Sequence, residues 1–251
     1  MKILIGSTGL IGKTLYEKLT FGLAYNSKNM GSYLQEVQNE NDLYLACLPA
    51  TKWLVNQDPQ KDMENILQIL DTLKTRTYKN VVLFSTIDVY NGSPSGVDET
   101  YEPEITKLDY GSNRYQFEVK VREQLRFDKL SIFRLPALYG KHIKKNVLFD
   151  LLNNNNVDEI NTNSAYQWYG LENLARDVQI YSETYPTESV FNLFPEPIET
   201  KEIVKLFPGY VIPEQTKRIE YNYKTKFGGY IQSKEDSLRQ IQEFVSASRS
   251  N

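Results

Sequence analysis

The segment Gly6-Ser7-Thr8-Gly9-Leu10-Ile11-Gly12 restricts this chain more than any other. It follows the short apolar run Lys2–Ile5 and opens residues 10–19, whose apolar side chains recur at helical spacing, so it reads as a strand-to-helix turn. In such a turn the first glycine permits a tight reversal and the second lets the backbone approach a pyrophosphate. The third allows close helix–strand packing. The helix N-terminus adds free N–H groups and a partial positive charge for the phosphates. With 13 glycines in 251 residues, three at this spacing arise by chance roughly 0.03 times, so an incidental turn is the weaker reading.

Beyond this turn, strand-length apolar runs alternate with helical patterns. Residues 42–48, 81–85 and 130–135 read as buried strands, and residues 63–73 and 116–125 as helices. This alternation predicts an α/β fold of the Rossmann type, a doubly wound parallel sheet covered on both faces. After Leu135 the alternation degrades and prolines gather at Pro186, Pro195, Pro197, Pro208 and Pro213. The expected organisation is a dinucleotide-binding domain at 1–140 and a small C-terminal substrate lobe at 141–251, interleaved with the last strands and helices of the sheet.

Composition removes several classes of chemistry. Hydrophobic residues make up 40% and charged residues 24%, and the net charge of -3 gives no global reason to expect nucleic acid or a polybasic membrane surface. No apolar run approaches the roughly 18 residues of a membrane span. The apolar start Met1–Gly6 is too short for a signal-peptide core, so a cytoplasmic protein is expected. One cysteine, Cys47, excludes an intramolecular disulfide framework and a cysteine-based zinc site; within its apolar stretch it reads as a buried structural thiol. One histidine, His142, argues against a Ser-His-Asp triad or a multi-histidine metal site. The expectation is no metal, with the hard chemistry carried by an organic cofactor.

The spacing G-x-x-G-x-x-G and the segments that follow it in order resemble the extended short-chain dehydrogenase/reductase family of nucleotide-sugar epimerases, dehydratases and reductases. Asp42-Leu43-Tyr44-Leu45-Ala46-Cys47 is similar to the strand that lines the adenine side of the cofactor, and Asn65 stands where the family has an asparagine in the next helix. Ser85-Thr86-Ile87-Asp88-Val89-Tyr90 resembles S-[ST]-x-x-V-Y, and Tyr110-Gly111-Ser112-Asn113-Arg114 resembles Y-G-x-S-K, with Glu118 at the glutamate that usually follows. Arg134-Leu135-Pro136-Ala137-Leu138-Tyr139-Gly140 looks like R-x-x-x-V-Y-G, and residues 167–175 look like D-F-V-Y-V-D-D-L-A. The set covers roughly the first 195 residues. In economy the chain is most similar to the dTDP-4-dehydrorhamnose reductases, because residues 21–41 hold no full second strand–helix unit.

The resemblance implies a mechanism and a set of contacts. Tyr110 would move a proton at the substrate oxygen while hydride moves to or from a nicotinamide, and Thr86 would hydrogen-bond the reacting carbonyl. A phenol ordinarily titrates at about 10, and a neighbouring cation lowers it. The family's lysine is here Arg114, which keeps the charge but is planar, longer and never deprotonated. Cofactor contacts would come from Gly6, Thr8, Gly9, Leu10, Ile11 and Gly12, from Leu45, Ala46 and Cys47, and from Asn65, Ser85, Tyr110, Arg114 and Leu135. Around Asn26, Ser27 and Lys28 no acid is present, and a hydroxyl with a cation suits a 2′-phosphate, which favours NADP over NAD. A nucleotide-sugar would meet Asp88, Tyr90, Lys141, Lys144, Lys145, Asn146 and Trp168, whereas Tyr166 replaces an arginine common in the family.

The expected activity is reduction of a keto nucleotide-sugar of the 4-keto-6-deoxy type for surface polysaccharide or sugar-nucleotide supply. Two alternatives stay open: an epimerase holding NAD tightly, and a non-catalytic NAD(P)-binding protein. Dehydration is disfavoured because Ile87-Asp88, rather than an Asp-Glu pair, follows Thr86. The resemblance also implies a homodimer through residues 63–73 and 116–125.

Overall fold

The computed structural model describes residues 1–185, 187–212 and 216–249, so Pro186 and Pro213 lie outside the described residues. In chain order the elements are β1 (Lys2–Ile5), α1 (Leu10–Lys18), β2 (Leu23–Tyr25), α2 (Tyr33–Glu36), β3 (Asn41–Leu45), α3 (Lys52–Gln57), α4 (Pro59–Leu73), β4 (Thr77–Thr86), α5 (Tyr110–Gln124) and β5 (Arg126–Leu135). They continue with β6 (Ala137–Tyr139), α6 (Val147–Asn153), β7 (Ala165–Tyr166), β8 (Trp168–Gly170), α7 (Leu174–Thr184), β9 (Ser189–Asn192), β10 (Ile198–Glu199), α8 (Thr200–Val204) and α9 (Lys234–Arg249).

The chain divides into two compact units. The first, residues 1–93, 102–134 and 173–191, is built on a six-stranded parallel sheet in the order β2-β1-β3-β4-β5-β9. This is the doubly wound α/β architecture that the sequence pattern predicts. β1 pairs with β2 on one side (Ile3 opposite Leu23) and with β3 on the other (Ile3 opposite Leu43). The chain therefore reverses its direction of winding at β1, and the carboxyl end of β1 is the topological switch point where such sheets bind ligands.

Alternation along each strand covers the sheet on both faces, as period-2 side-chain geometry requires. Ile3, Ile5, Leu43, Leu45, Val81, Leu83, Leu130 and Ile132 pack with Met63, Ile66, Leu70 and Leu73 of α4 and Phe117, Val121 and Leu125 of α5. On alternate positions Phe84 stacks on Phe133 at 6.1 Å, and Phe133 meets Phe191 at 5.1 Å and Tyr181 of α7 at 6.5 Å. β2 has only three residues and α2 only four, so the segment between α1 and β3 is a single turn of helix under a short edge strand.

The second unit comprises residues 94–101, 135–172 and 192–251. β6 runs parallel to β8, and β7 runs antiparallel to β10. Its core gathers Tyr139, Leu148, Leu151, Ile160, Trp168, Ile198, Ile203, Phe207, Ile241 and Val245. Buried side-chain amides and carboxylates tie its irregular stretches. Gln167 donates to the carbonyls of Pro195 (2.7 Å) and Tyr223 (2.8 Å) and accepts from the Tyr223 N–H (2.9 Å). Glu99 accepts from the Asn192 and Lys226 N–H groups and from the Thr225 hydroxyl. The sequence pattern predicts loops and short helices here; α9, at 16 residues, is instead a long helix, seated by Ser237, Ile241 and Val245. No helix among the described residues is long and apolar enough to cross a membrane.

Candidate active site

The glycine turn sits at the switch point and is held by close backbone contacts. Gly6 has φ +95°, and a Cβ there would lie 2.1 Å from the Ala46 carbonyl oxygen, so no L side chain fits. A Cβ on Gly12 would meet the Gly6 carbonyl oxygen at the same 2.1 Å. The Gly6 and Ser7 N–H groups donate to the Tyr25 carbonyl at 2.8 and 3.0 Å, and the Ala46 N–H donates to Ile5 at 2.9 Å. The turn is thereby wedged among the carboxyl ends of β1, β2 and β3, with Leu45 and Cys47 flanking Ala46. Burial pushes the half-buried Cys47 thiol up to about 12, with the Arg114 charge acting against that rise. A thiol so shifted is a structural group rather than a nucleophile.

The helix starts of this unit differ in one respect. α4 and α5 are each capped by an aspartate, Asp58 accepting from the Lys61 N–H and Asp109 from the Ser112 N–H. α1, with Gly9 at its N-cap and Leu10 and Ile11 in its first turn, has no side-chain cap and no acid there, a state it shares with α3; what sets it apart is the glycine turn that leads into it. Its first N–H groups have no intrahelical acceptors, and Thr8 and Gly9 are exposed beside them. A backbone cradle of this shape, without side-chain bulk or negative charge, fits the pyrophosphate of a dinucleotide. After β2, Asn26 and Asn29 close a turn (Lys28 N–H to Asn26 Oδ1 2.9 Å, Asn26 N–H to Asn29 Oδ1 2.7 Å) that leaves Ser27 and Lys28 exposed.

At the end of β4 the structure assembles the second cluster. Thr86 is the last residue of that strand, and its hydroxyl caps the 3₁₀ turn Ile87–Tyr90 by accepting from the Asp88 N–H at 3.2 Å. Lys52 of α3 forms an ion pair with Asp88. α5 starts against this turn so closely that a Cβ on Gly111 would lie 2.1 Å from the Asp88 carbonyl oxygen, which explains the glycine after Tyr110. The Tyr110 N–H donates to the Asn56 side chain at 2.8 Å. The Arg114 guanidinium lies 4.5 Å from the centre of the Tyr110 ring. Burial raises the Tyr110 phenol above its ordinary range; Arg114 opposes this, Asp88 adds to it, and hydrogen bonding with Arg114 and Thr86 pulls it back in part. Tyr110, Thr86 and Arg114 are therefore brought together.

Arg114 is only 4% exposed, and its partner is Asp62, itself 5% exposed. The pair is bidentate, Nη1 to Oδ2 at 2.6 Å and Nη2 to Oδ1 at 3.2 Å, and Nη2 also donates to the Pro49 carbonyl at 2.6 Å. Asn113 donates to Asp62 at 2.9 Å and to the Pro59 carbonyl at 2.8 Å, while its own Oδ1 is buried with no partner. Sequence reasoning misses Asp62, Asn56 and Lys52. Asp62 follows an Asp-Pro helix start, where an acid reads as a complement to the helix dipole, and nothing local couples it to an arginine 52 residues away.

Four other candidates are placed differently from the cluster. Asn65 points to solvent on α4 while Asp62 and Ile66 are buried. Ser85 lies at the end of β4 and donates to Glu118. Tyr90 is fully buried, and its hydroxyl accepts from Arg134. Leu135 is the buried last residue of β5. In the second unit Lys141, Lys144 and Lys145 are exposed, and Asn146 caps α6 by accepting from the Phe149 N–H at 3.0 Å. Trp168 is packed in that unit's core with its Nε1 unpartnered.

Comparison with known proteins bears on this arrangement. No protein-family model and no curated protein matches the sequence. Solved structures do match along nearly the whole chain. The structure is similar to a dTDP-4-dehydrorhamnose reductase from Bacillus anthracis in complex with NADP, with TM-score 0.76 and 16% identity over 98% of this chain and 97% of the other. It is similar to a UDP-glucose 4-epimerase from Thermotoga maritima with UDP-glucose (TM-score 0.70, 17% identity, 100% and 99% covered). A dTDP-glucose 4,6-dehydratase double mutant from Streptomyces venezuelae with NAD bound gives TM-score 0.73 at 12% identity, over 100% and 98%. The chain has the fold of the extended short-chain dehydrogenase/reductases. At these identities the likeness is one of fold.

Proposed function

We propose that this chain is an NAD(P)-dependent reductase acting on a keto nucleotide-sugar of the 4-keto-6-deoxy type. The observation that carries the reading is the buried Tyr110 phenol beside Thr86, raised above its ordinary range by burial and by the charge of Asp88. A phenol that keeps its proton near neutral pH is equipped to give it to a developing alkoxide. An epimerase working from tightly held NAD first needs the ionised phenol to take a proton from a hydroxyl, a form that burial and Asp88 oppose and that Arg114 and Thr86 favour only in part.

A bound NAD(P)H supplies the hydride. The uncapped start of α1 and the Gly6–Gly12 backbone hold the pyrophosphate, and Ser27 and Lys28 meet the ribose 2′-phosphate, which favours NADP. Thr86 orients the carbonyl oxygen and Tyr110 delivers the proton to it. Lys141, Lys144 and Lys145 complement the pyrophosphate of the sugar nucleotide. The reading places the chain in the cytoplasm, in the supply of sugar nucleotides for surface polysaccharide.

Parallel titration with NADPH and NADH, followed by reduction of a dTDP-linked 4-keto-6-deoxyhexose, tests this. NADPH binds about tenfold tighter than NADH, and Tyr110→Phe lowers turnover about 10²- to 10⁴-fold with NADPH affinity unchanged. Binding of neither dinucleotide removes the reading, and full turnover by the variant removes Tyr110 from the chemistry.

A further inference from the structure

We propose that Asp62 is a positioning residue: its carboxylate seats the Arg114 guanidinium and pairs its charge, so that Tyr110 works as a proton donor rather than a proton acceptor. The inference deepens the reductase reading and rests on it for the direction of proton transfer.

A lone cation against a phenol favours the phenolate, because opposite charge stabilises the ionised form. Arg114 is against the Tyr110 ring at 4.5 Å, yet it is not a lone cation. Asp62 takes both ends of its fork, at 2.6 and 3.2 Å, inside a site where each partner is at most 5% exposed. The pair carries no net charge, so the guanidinium, which still pulls the phenol down in part, does so less than a lone cation would. The Pro49 carbonyl and Asn113 fix the two partners in place, one on each side of the pair. A guanidinium suits this arrangement better than an ammonium, since its planar fork accepts a carboxylate in two parallel bonds and still faces a ring.

One other charge acts on Tyr110 directly, Asp88, which raises the phenol. On the turn after β4, Asp88 faces the phenol and is itself paired with Lys52 of α3. Asp109, at the start of the tyrosine's own helix, is engaged as its cap and with Lys107 at 3.7 Å. Cys47, after β3, faces Arg114 as a neutral thiol. Removing the Asp62 charge therefore exposes the phenol to an unpaired buried cation and lowers its titration.

The test reads Tyr110 directly, with neither substrate nor cofactor. Protein labelled with 3-fluorotyrosine is titrated by ¹⁹F NMR, and the Tyr110 resonance is assigned by its loss in Tyr110→Phe. Asp62→Asn lowers the midpoint by at least about one pH unit, a tenfold change in the ionisation constant. Because an unpaired buried arginine could unfold the protein, the double variant Asp62→Asn/Arg114→Gln is titrated alongside. With both charges gone its midpoint does not fall below that of the wild type, because the Arg114 charge and hydrogen bond that lower it are lost together with Asp62. An unmoved midpoint in Asp62→Asn, or a fall in the double variant as large as that in Asp62→Asn, overturns the proposal. Since the readout needs no turnover, absence of keto-sugar reduction overturns the reductase reading separately.

Discussion

Two buried arginine–carboxylate pairs share helix α5, and they differ in what surrounds them. Arg134 meets Glu118 with Nη2 at 2.6 Å and with Nε at 3.1 and 3.2 Å, and its remaining fork reaches the Tyr90 hydroxyl. Ser85 donates to the same glutamate, and the Tyr90 and Tyr115 rings flank the guanidinium at 4.9 and 5.9 Å. No side-chain atom of that group is orphaned among the described residues. The Arg114–Asp62 pair has the same chemistry but sits beside an unpartnered Asn113 oxygen and against Tyr110, the phenol facing Thr86. A closed network gives rigidity, whereas an incompletely satisfied one at a titratable group is what functional sites retain.

Two measurements would break or sharpen that contrast, and a third tests the buried phenols of the same unit. The largest effect is expected from Glu118→Gln, which leaves Arg134 buried and unpaired. It should cost about 3–5 kcal/mol in denaturant unfolding, while the Tyr110 titration stays within about half a pH unit. A shift of the phenol as large as that expected for Asp62→Asn would mean that the two pairs are not functionally distinct.

Next in size is an alkaline loss of stability. Burial pushes the phenols of Tyr44 and Tyr78 up to about 12 from the ordinary value of about 10. Between those values the unfolded chain releases protons that the folded chain keeps. Stability is thus complete below pH 10 and falls as pH rises towards 12, by about 2 kcal/mol for each of these residues. Urea unfolding at pH 8, 10 and 11 checks the sign; a flat profile would show that neither phenol stays protonated in the fold.

The smallest effect belongs to Arg114→Lys. The ammonium keeps the charge near Asp62 but loses one of two parallel bonds and the Pro49 contact, and about 1 kcal/mol of stability should go with them. Arg134→Lys should cost more, because that guanidinium uses its Nε and both terminal nitrogens. Equal losses in thermal unfolding would remove the distinction between an open and a closed pair.

The regions that were legible in the sequence are those whose physics is local. Seven residues contain the glycine turn, and the spacing that marks it as a strand-to-helix turn lies within them. The strand–helix alternation of the first unit was legible for the same reason, since hydrophobic period is a property of a short window. α5 was read only from residue 116, although it begins at Tyr110. Its buried face carries Asn113, Arg114 and Glu118 among apolar residues, so the stripe that marks other helices is absent over the very turns that hold the cluster.

By itself, then, the sequence determined the α/β class and the glycine turn after the first strand, and its family resemblance singled out Thr86 and Tyr110; the structure set them on a strand end and a helix start. Tertiary structure alone decided which polar groups meet. It turned Asn65 outward and Asp62 inward on one helix, packed Trp168 into a core, and paired Arg114 with a carboxylate 52 residues earlier. Those outcomes depend on burial, which makes an unpaired charge expensive and so forces distant residues to find each other; no window of sequence contains both partners.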